Sequence, residues 1–288
     1  MSSNSLVIRI PKDDEIKTFY DIYCTGLPGV DKITFDKLKK WWTRSKEQGT
    51  FEKLWRVAEI NGKLVGIIIN VVNKALKWGM IWELSVLPEW RSKGIGKELV
   101  QESEKLLLEY DNKISYYALG LKTHNDKALP FYERLGYNIH FIVTHLQKKV
   151  EREMKNFNII FHEPNLNHLP DLLNLIPDAY WNQHTTKTWK NIIKEKDGFV
   201  AIDKKTQKVV GYIDLGLSDH LEQSTELGFH CLQGYGSSII LAALKLVKTE
   251  NLDLWVQDNH QDILATLFNK GFRRIESEYL MKKVIKKV

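Results

Sequence analysis

The chain has 288 residues, 43% apolar and 27% charged, with a formal net charge of +6. That length suits two ordinary domains, and the composition is that of a soluble globular protein, not of a disordered, fibrous or membrane-embedded chain. Cys24 and Cys231 are too few for a disulfide framework and fit a reducing, cytoplasmic setting; residues 1–5 show no export signal.

Leu6 to Ile10 reads as a short strand closed by Pro11. Asp13-Asp14-Glu15 open a helix to about Cys24, which Gly26-Leu27-Pro28-Gly29 breaks. A second helix begins near Thr34, a suitable N-cap, and carries Phe35, Leu38, Trp41 and Trp42. Aromatics at that spacing favour the core, although with Trp78 and Trp82 they could line a cleft in which a cationic amine sits over a ring. Leu54–Ile60 and Leu64–Val72 read as a hairpin turning at Asn61-Gly62. Another turn, Asn73 to Lys77, leads into the strand Trp78–Val86. Gly96–Tyr110 is an amphipathic helix, Ser115–Leu121 a strand, and Tyr137–Gln147 another strand after the helix-ending Gly136.

The stretch from Glu83 to Lys97 organises the first half. A strand ends at Pro88, and Gly94-Ile95-Gly96 stands at the mouth of a helix. Glycine lets an anion approach the backbone, and the helix start supplies unpaired N–H groups and the positive end of a dipole. Arg91, Lys93 and Lys97 add charge; Arg91 can grip a phosphate through two parallel hydrogen bonds. A P-loop is excluded by spacing and by Glu98 where a hydroxyl should follow Lys97. A dinucleotide fingerprint fails at Leu99. Arg91-Ser92-Lys93-Gly94-Ile95-Gly96 does fit [RQ]-x-x-G-x-[GA] after a strand.

That stretch resembles the acyl-CoA-binding motif of the GNAT superfamily of N-acyltransferases. Asn125-Asp126-Lys127-Ala128-Leu129-Pro130-Phe131-Tyr132-Glu133-Arg134-Leu135-Gly136-Tyr137 resembles the second signature of that family at every fixed position. Residues 151–288 repeat the pattern: Val57-Ala58 is echoed by Val200-Ala201, Glu83-Leu84 by Glu226-Leu227, Gly94-Ile95-Gly96 by Gly234-Tyr235-Gly236, and Gly136-Tyr137 by Gly271-Phe272. The expected architecture is α/β (an α+β mixed sheet): two tandem GNAT-like domains, residues 1–150 and 151–288, each a twisted mixed β-sheet flanked by helices, joined near Val150 to Lys155.

The halves read as unequal. Eleven positions separate Glu83 from Gly94, but eight separate Glu226 from Gly234, so the second loop reads as three residues shorter. Cys231 falls where Arg91 should be, and Leu267 or Phe268 where Tyr132 should be. The second half therefore reads as a degenerate copy that walls the acceptor site.

The resemblance implies an N-acetyltransferase that passes an acetyl group from acetyl-CoA to a primary amine within a ternary complex. It makes Tyr132 the proton donor and Glu83 a candidate general base, or alternatively a structural Glu. Leu84, Val86, Arg91, Ser92, Lys93, Gly94, Ile95, Gly96, Lys97, Asn125 and Tyr132 are its expected cofactor contacts, with backbone N–H near Val86 as oxyanion donor. Asn125 could instead cap its helix. The implied partner is a small-molecule or peptide amine, with no metal, no membrane and a monomer or homodimer. Lys282, Lys283, Lys286 and Lys287 read as a solvated basic face in preference to a nucleic-acid site, and His140 and His145 lack metal-ligand spacing. An acyl-CoA-binding sensor without turnover, or catalysis by the second half, are the competing readings.

Overall fold

The computed structural model describes residues 5–26, 33–74, 76–151, 157–179, 182–218 and 221–286. The expected helix break at Leu27-Pro28-Gly29, most of the expected junction at 150–155 and the terminal Lys287 lie outside these residues. The chain forms two compact units. Unit 1 comprises Met1–Leu121, Asn125–His140 and Leu280–Val288; unit 2 comprises Lys122–His124 and Phe141–Tyr279. This division is not the single cut near Val150 expected from sequence. Residues 141–149 pair within unit 2, whereas Ile285 donates its N–H to Ser115 O within unit 1 (3.0 Å).

In unit 1 the strands are β1 (Leu6–Arg9), β2 (Trp55–Ile60), β3 (Lys63–Asn73), β4 (Trp78–Val86) and β5 (Tyr116–Lys122), with sheet order β1-β2-β3-β4-β5 followed by the end of β13 (Arg273–Val284). Asn61 and Gly62, both at positive φ (50° and 78°), make the β2–β3 hairpin turn. Thr34 caps α2 (Phe35–Glu47) by accepting from Lys37 N. Trp42 is buried against Phe19, Phe51 and Trp55, and Trp78 is also buried, so both belong to the core. Of the four tryptophans offered as cleft lining, Trp82 is the exposed one, at 48%.

Helices α1 (Ile16–Gly26) and α4 (Ile95–Tyr110) cover opposite faces of β3 and β4. Ser85 turns one way, its hydroxyl donating to Ile22 O of α1 at 3.1 Å. Gly66 and Val86, directly paired, turn the other way, and a Cβ on Gly66 would meet Leu99 of α4 at 3.1 Å. This is the alternation of a strand buried on both faces. Short α3 (Phe51–Leu54) and α5 (Ala128–Arg134) complete the unit, with the first residues of β6 (Asn138–Lys149).

Unit 2 adds β7 (Ile159–His162), α6 (Leu169–Leu172), β8 (Ile176–Pro177), α7 (Thr186–Glu195), β9 (Phe199–Asp203), β10 (Val209–Leu217), β11 (Ser224–Cys231), α8 (Gly236–Ala243), β12 (Asn251–Gln257) and α9 (Gln261–Asn269). Its sheet runs β13-β6-β12-β11-β10-β9-β7, with β8 attached to β11. One core packs Phe229, Ile239, Leu254, Ile263 and Leu267 together; a second gathers Leu172, Trp189 and Tyr212.

Candidate active site

The site grows from one irregularity in β4. Glu83 pairs with Ile69 of β3, but Ile81 pairs with Asn70, so Trp82 is an extra residue on β4. Such a bulge bends and twists its strand. The parallel ladder between β4 and β5 ends beside it, at Ile81↔Leu119. Beyond that point Glu83 to Val86 stay paired to β3, and β5 has parted from them.

Which amides face the parted side follows from alternation. Leu87 N–H points at β3, donating to Val65 O at 3.0 Å. Residues two apart share a direction, so Ser85 and Glu83 face β3, while Leu84 and Val86 turn their N–H and C=O into the cleft. In keeping with this, Val86 O accepts from Arg91 Nε at 3.0 Å instead of from β3.

The loop after β4 begins with a 3-10 turn, Pro88–Trp90, and reaches Gly94 through Ser92, both at positive φ (86° and 61°). A serine there is strained, and a Cβ at Gly94 would meet nothing within 4 Å, so glycine serves conformation, not space. Gly94 offers no side-chain cap to α4, whose first-turn N–H groups therefore remain available to an anion. Arg91, Ser92, Lys93 and Lys97 are exposed around them, with Lys93 Nζ 4.5 Å from the Trp90 ring centre. Ile95 is buried, so it brings only its backbone to this loop; Gly96 lies beside Phe131 of α5, whose ring would be 3.4 Å from an added Cβ.

Tyr132 follows Phe131 and is buried. Burial first, and the charge of Glu83 second, hold its hydroxyl well above the ordinary phenol pKa, so it stays protonated at neutral pH. Tyr23 of α1 is lifted in the same direction by the same two causes in the same order. Glu83 thus acts on two tyrosines from different helices. Sequence reasoning missed Tyr23, because helical spacing within α1 does not say which strand residue a side chain meets. Asn125 Oδ1 accepts from Ala128 N at 3.3 Å, but the N-cap position of α5 is Lys127, two residues on.

The corresponding parts of unit 2 can be matched by register. Gly66 pairs with Val86 and Gly211 with Cys231; Leu87 N bonds Val65 O and Leu232 N bonds Val210 O. Cys231 therefore matches Val86, not Arg91, and Gly228, not Glu226, matches Glu83. The sequence echo is two residues out of register: Glu226 lies opposite Gly216 and matches Met80 opposite Val71, and the ladder between β10 and β11 runs from Thr225 to Cys231 with no bulge residue. Seven positions separate Leu87 from Gly94 but two separate Leu232 from Gly234, so the second loop is five residues shorter, not three. Tyr137 N bonds Tyr132 O and Phe272 N bonds Leu267 O, which makes Leu267 the counterpart of Tyr132. Among the described residues no group of three or more His, Cys, Asp or Glu could hold a metal ion, and no helix is long and apolar enough to cross a membrane.

A glycine loop opening a helix, set beside a parted pair of parallel strands, defines an acyltransferase fold of the GNAT type. Residues 16–137 match the acetyltransferase (GNAT) family, and similarity to N-acetyltransferases supports an acyltransferase enzyme. It is 29% identical over 136 residues to an uncharacterised N-acetyltransferase of Archaeoglobus fulgidus, a match covering 43% of this chain and 88% of that protein. In fold it is similar to a GCN5-related N-acetyltransferase from Sphaerobacter thermophilus (TM-score 0.70, 13% identity, covering 98% of this chain and 96% of that one). It is also similar in fold to a tandem GNAT protein from the clavulanic acid biosynthesis pathway (TM-score 0.64, 11% identity, 99% and 100%).

Proposed function

We propose that unit 1 transfers an acetyl group from acetyl-CoA directly to a primary amine, with both held at once in the cleft where β4 leaves β5. The observation that carries this reading is the pair of amides at Leu84 and Val86, turned away from β3 where β5 no longer runs alongside. The residues fit the cofactor: the uncapped start of α4 with Arg91, Lys93 and Lys97 suits a pyrophosphate, and the cleft-facing amides suit the amide-bearing arm.

Acetyl-CoA brings the activated acetyl group as a thioester. Holding it beside the amine replaces a bimolecular encounter with a local one. Val86 N–H is placed to receive the negative charge that develops on the carbonyl oxygen. Glu83 serves as the base that takes the amine's proton, directly or through water. Tyr132 donates a hydrogen bond to the departing sulfur. Its raised pKa exceeds that of an ordinary thiol, about 8.5, so it steadies the thiolate more than it protonates it. Its contribution should therefore lie at or below the lower limit of general acid catalysis, about 100-fold or less.

Incubating the protein with acetyl-CoA and a panel of small amines and peptides, and following thiol release, tests the reading. Turnover that needs both substrates and follows sequential kinetics supports it; ping-pong kinetics would replace direct transfer with an acyl-enzyme route.

A further inference from the structure

Unit 2 repeats the parted strands, and its cleft is filled from within. The parallel ladder between β11 and β12 covers Ser224↔Asn251 to Glu226↔Asp253 and then ends. Into the gap comes β8, antiparallel to β11, with Pro177 opposite His230 and Ile176 opposite Cys231. Asp178 completes the bridge: its N–H donates to Phe229 O (2.8 Å), and its C=O accepts from Gln257 N of β12 (3.1 Å). Its carboxylate also accepts from Phe229 N (3.4 Å), Ala179 N (2.6 Å) and Asn182 Nδ2 (2.9 Å). Pro177 brings no N–H to be left unpaired, and its carbonyl accepts from His260 Nε2 at 3.0 Å.

By the register match, Phe229 and Cys231 are the counterparts of Leu84 and Val86, whose amides face the cleft in unit 1. In unit 2 both backbone groups of Phe229 are taken by Asp178, and Cys231 is laddered to Ile176. We propose that residues Ile176–Ala179 are a built-in occupant of unit 2's acyl-CoA cleft, standing where the amides of the cofactor's arm would pair, so that the chain takes up acetyl-CoA in unit 1 alone. The half of this statement concerning unit 1 rests on the function proposed above; the half concerning the plug does not.

The physical case is one of competition. An external ligand would have to displace an intramolecular strand that already satisfies these groups, and would strand the buried Asp178 carboxylate, 2% exposed, without its donors. A tethered segment also acts at a high effective concentration, which a free cofactor must exceed. The short loop of unit 2, five residues less than that of unit 1, removes the counterparts of the basic residues that would help it do so.

Two measurements on the full chain test this. Hydrogen exchange read at the amides of Asp178 and Gln257 should be slow without ligand and unchanged by saturating acetyl-CoA. Rapid exchange that becomes slow when acetyl-CoA is added would overturn the plug. Native mass spectrometry and calorimetry with CoA should give one equivalent per chain, lost in Gly94→Val and kept in a folded Gly234→Val. Two equivalents, or one that survives Gly94→Val, would overturn the proposal. No binding by the unaltered chain would sink the function assigned to unit 1, while slow exchange at Asp178 would still uphold the plug. The exchange measurement needs no variant, so a misfolded Gly234→Val leaves it intact.

Discussion

In unit 1 the ladder of β4 and β5 stops at Ile81↔Leu119, a bulge residue follows, and a loop of seven positions carries the chain from Leu87 to Gly94. In unit 2 the ladder of β11 and β12 also stops partway, at Glu226↔Asp253, but without a bulge, and two positions bring Leu232 to Gly234. Both glycines adopt nearly the same backbone angle, φ 86° and 85°. The same glycine turn therefore stands in one unit beside basic residues, a buried tyrosine hydroxyl and an open strand edge, and in the other without them. Parted strands need something to satisfy their facing amides. In unit 2 the chain itself does so.

The sharpest way to test that contrast is to give unit 1 the spacing of unit 2. Deleting Glu89–Lys93 removes five residues, including Arg91 and the strained Ser92. We expect kcat/KM for acetyl-CoA to fall by at least about 100-fold, because the pyrophosphate loses its grip and the thioester its alignment. Circular dichroism and melting would verify that the fold persists; retained activity in a folded variant would break the comparison at its centre.

Tyr132→Phe makes unit 1 resemble unit 2 at the position of Leu267. The tyrosine hydroxyl bond to the Glu104 carboxylate comes from Tyr137, at 3.0 Å, so removing the Tyr132 hydroxyl should act mainly on turnover. We expect kcat to drop by up to about 100-fold with KM for acetyl-CoA nearly unchanged. In the unaltered enzyme, deprotonation of Tyr132 should cause no alkaline loss of activity below its ordinary pKa of about 10, since burial and Glu83 both move it upward.

Much of this was legible in the sequence. The strand Trp78–Val86, the glycine turn, the long helix after it and the helix ending at Gly136 all stand close to their expected places, because periodicity and glycine punctuation are local signals. Val57-Ala58 and Val200-Ala201 are equivalent by register, since Ala58 pairs with Gly66 and Ala201 with Gly211. Besides Tyr23, three things escaped. The bulge at Trp82 leaves no compositional mark, and the true shortness of the second loop shows only in which residues pair across the strands, which is why Glu226 looked like Glu83. Strand β8 is two residues long and contains a proline, so no alternation could announce it. The division into units depends on the partners chosen by β6 and β13, a matter of topology that lies outside any sequence window.

The pH dependence of unit 2 should expose its buried groups. Burial chiefly, then the nearby His184, push His230 down to about 3, so below about pH 6.5 the unfolded chain binds a proton that the folded one does not. That group makes stability fall as pH falls, by up to about 1.4 kcal/mol per unit. Asp178 works in the opposite direction: burial raises it to about 7 against its hydrogen bonds, so between about 4 and 7 the folded state holds the extra proton and stability rises as pH falls. The two slopes oppose each other over the same window. Chemical denaturation from pH 7 to 4 should show His230→Gln gaining stability relative to the unaltered protein as pH drops, and Asp178→Asn losing it. Parallel profiles in all three would mean that neither group is titrating as its burial requires.

The smallest effect concerns how unit 1 secures its last strand. Glu104 of α4 accepts from Lys283 Nζ at 2.7 and 2.8 Å and from the Tyr137 hydroxyl at 3.0 Å; its backbone carbonyl accepts from Tyr117. Burial, with Glu104's charge behind it, moves the Tyr117 pKa up to about 12. Lys283 retains 30% exposure, so solvent screens the pair and its worth lies well short of a fully buried one. Glu104→Gln keeps an acceptor for Tyr137 and removes the charge. We expect a loss of about 1 kcal/mol, seen as roughly fivefold faster exchange at Ile285 N–H, which bonds Ser115 O. The difference should shrink in 1 M salt if charge is the cause, because the screening length there is only about 3 Å. A salt-independent loss of the same size would assign it to the packing of Tyr137. Unit 1 would then hold its last strand by shape and not by charge, as unit 2 holds Phe272 among Leu267 and Ile263.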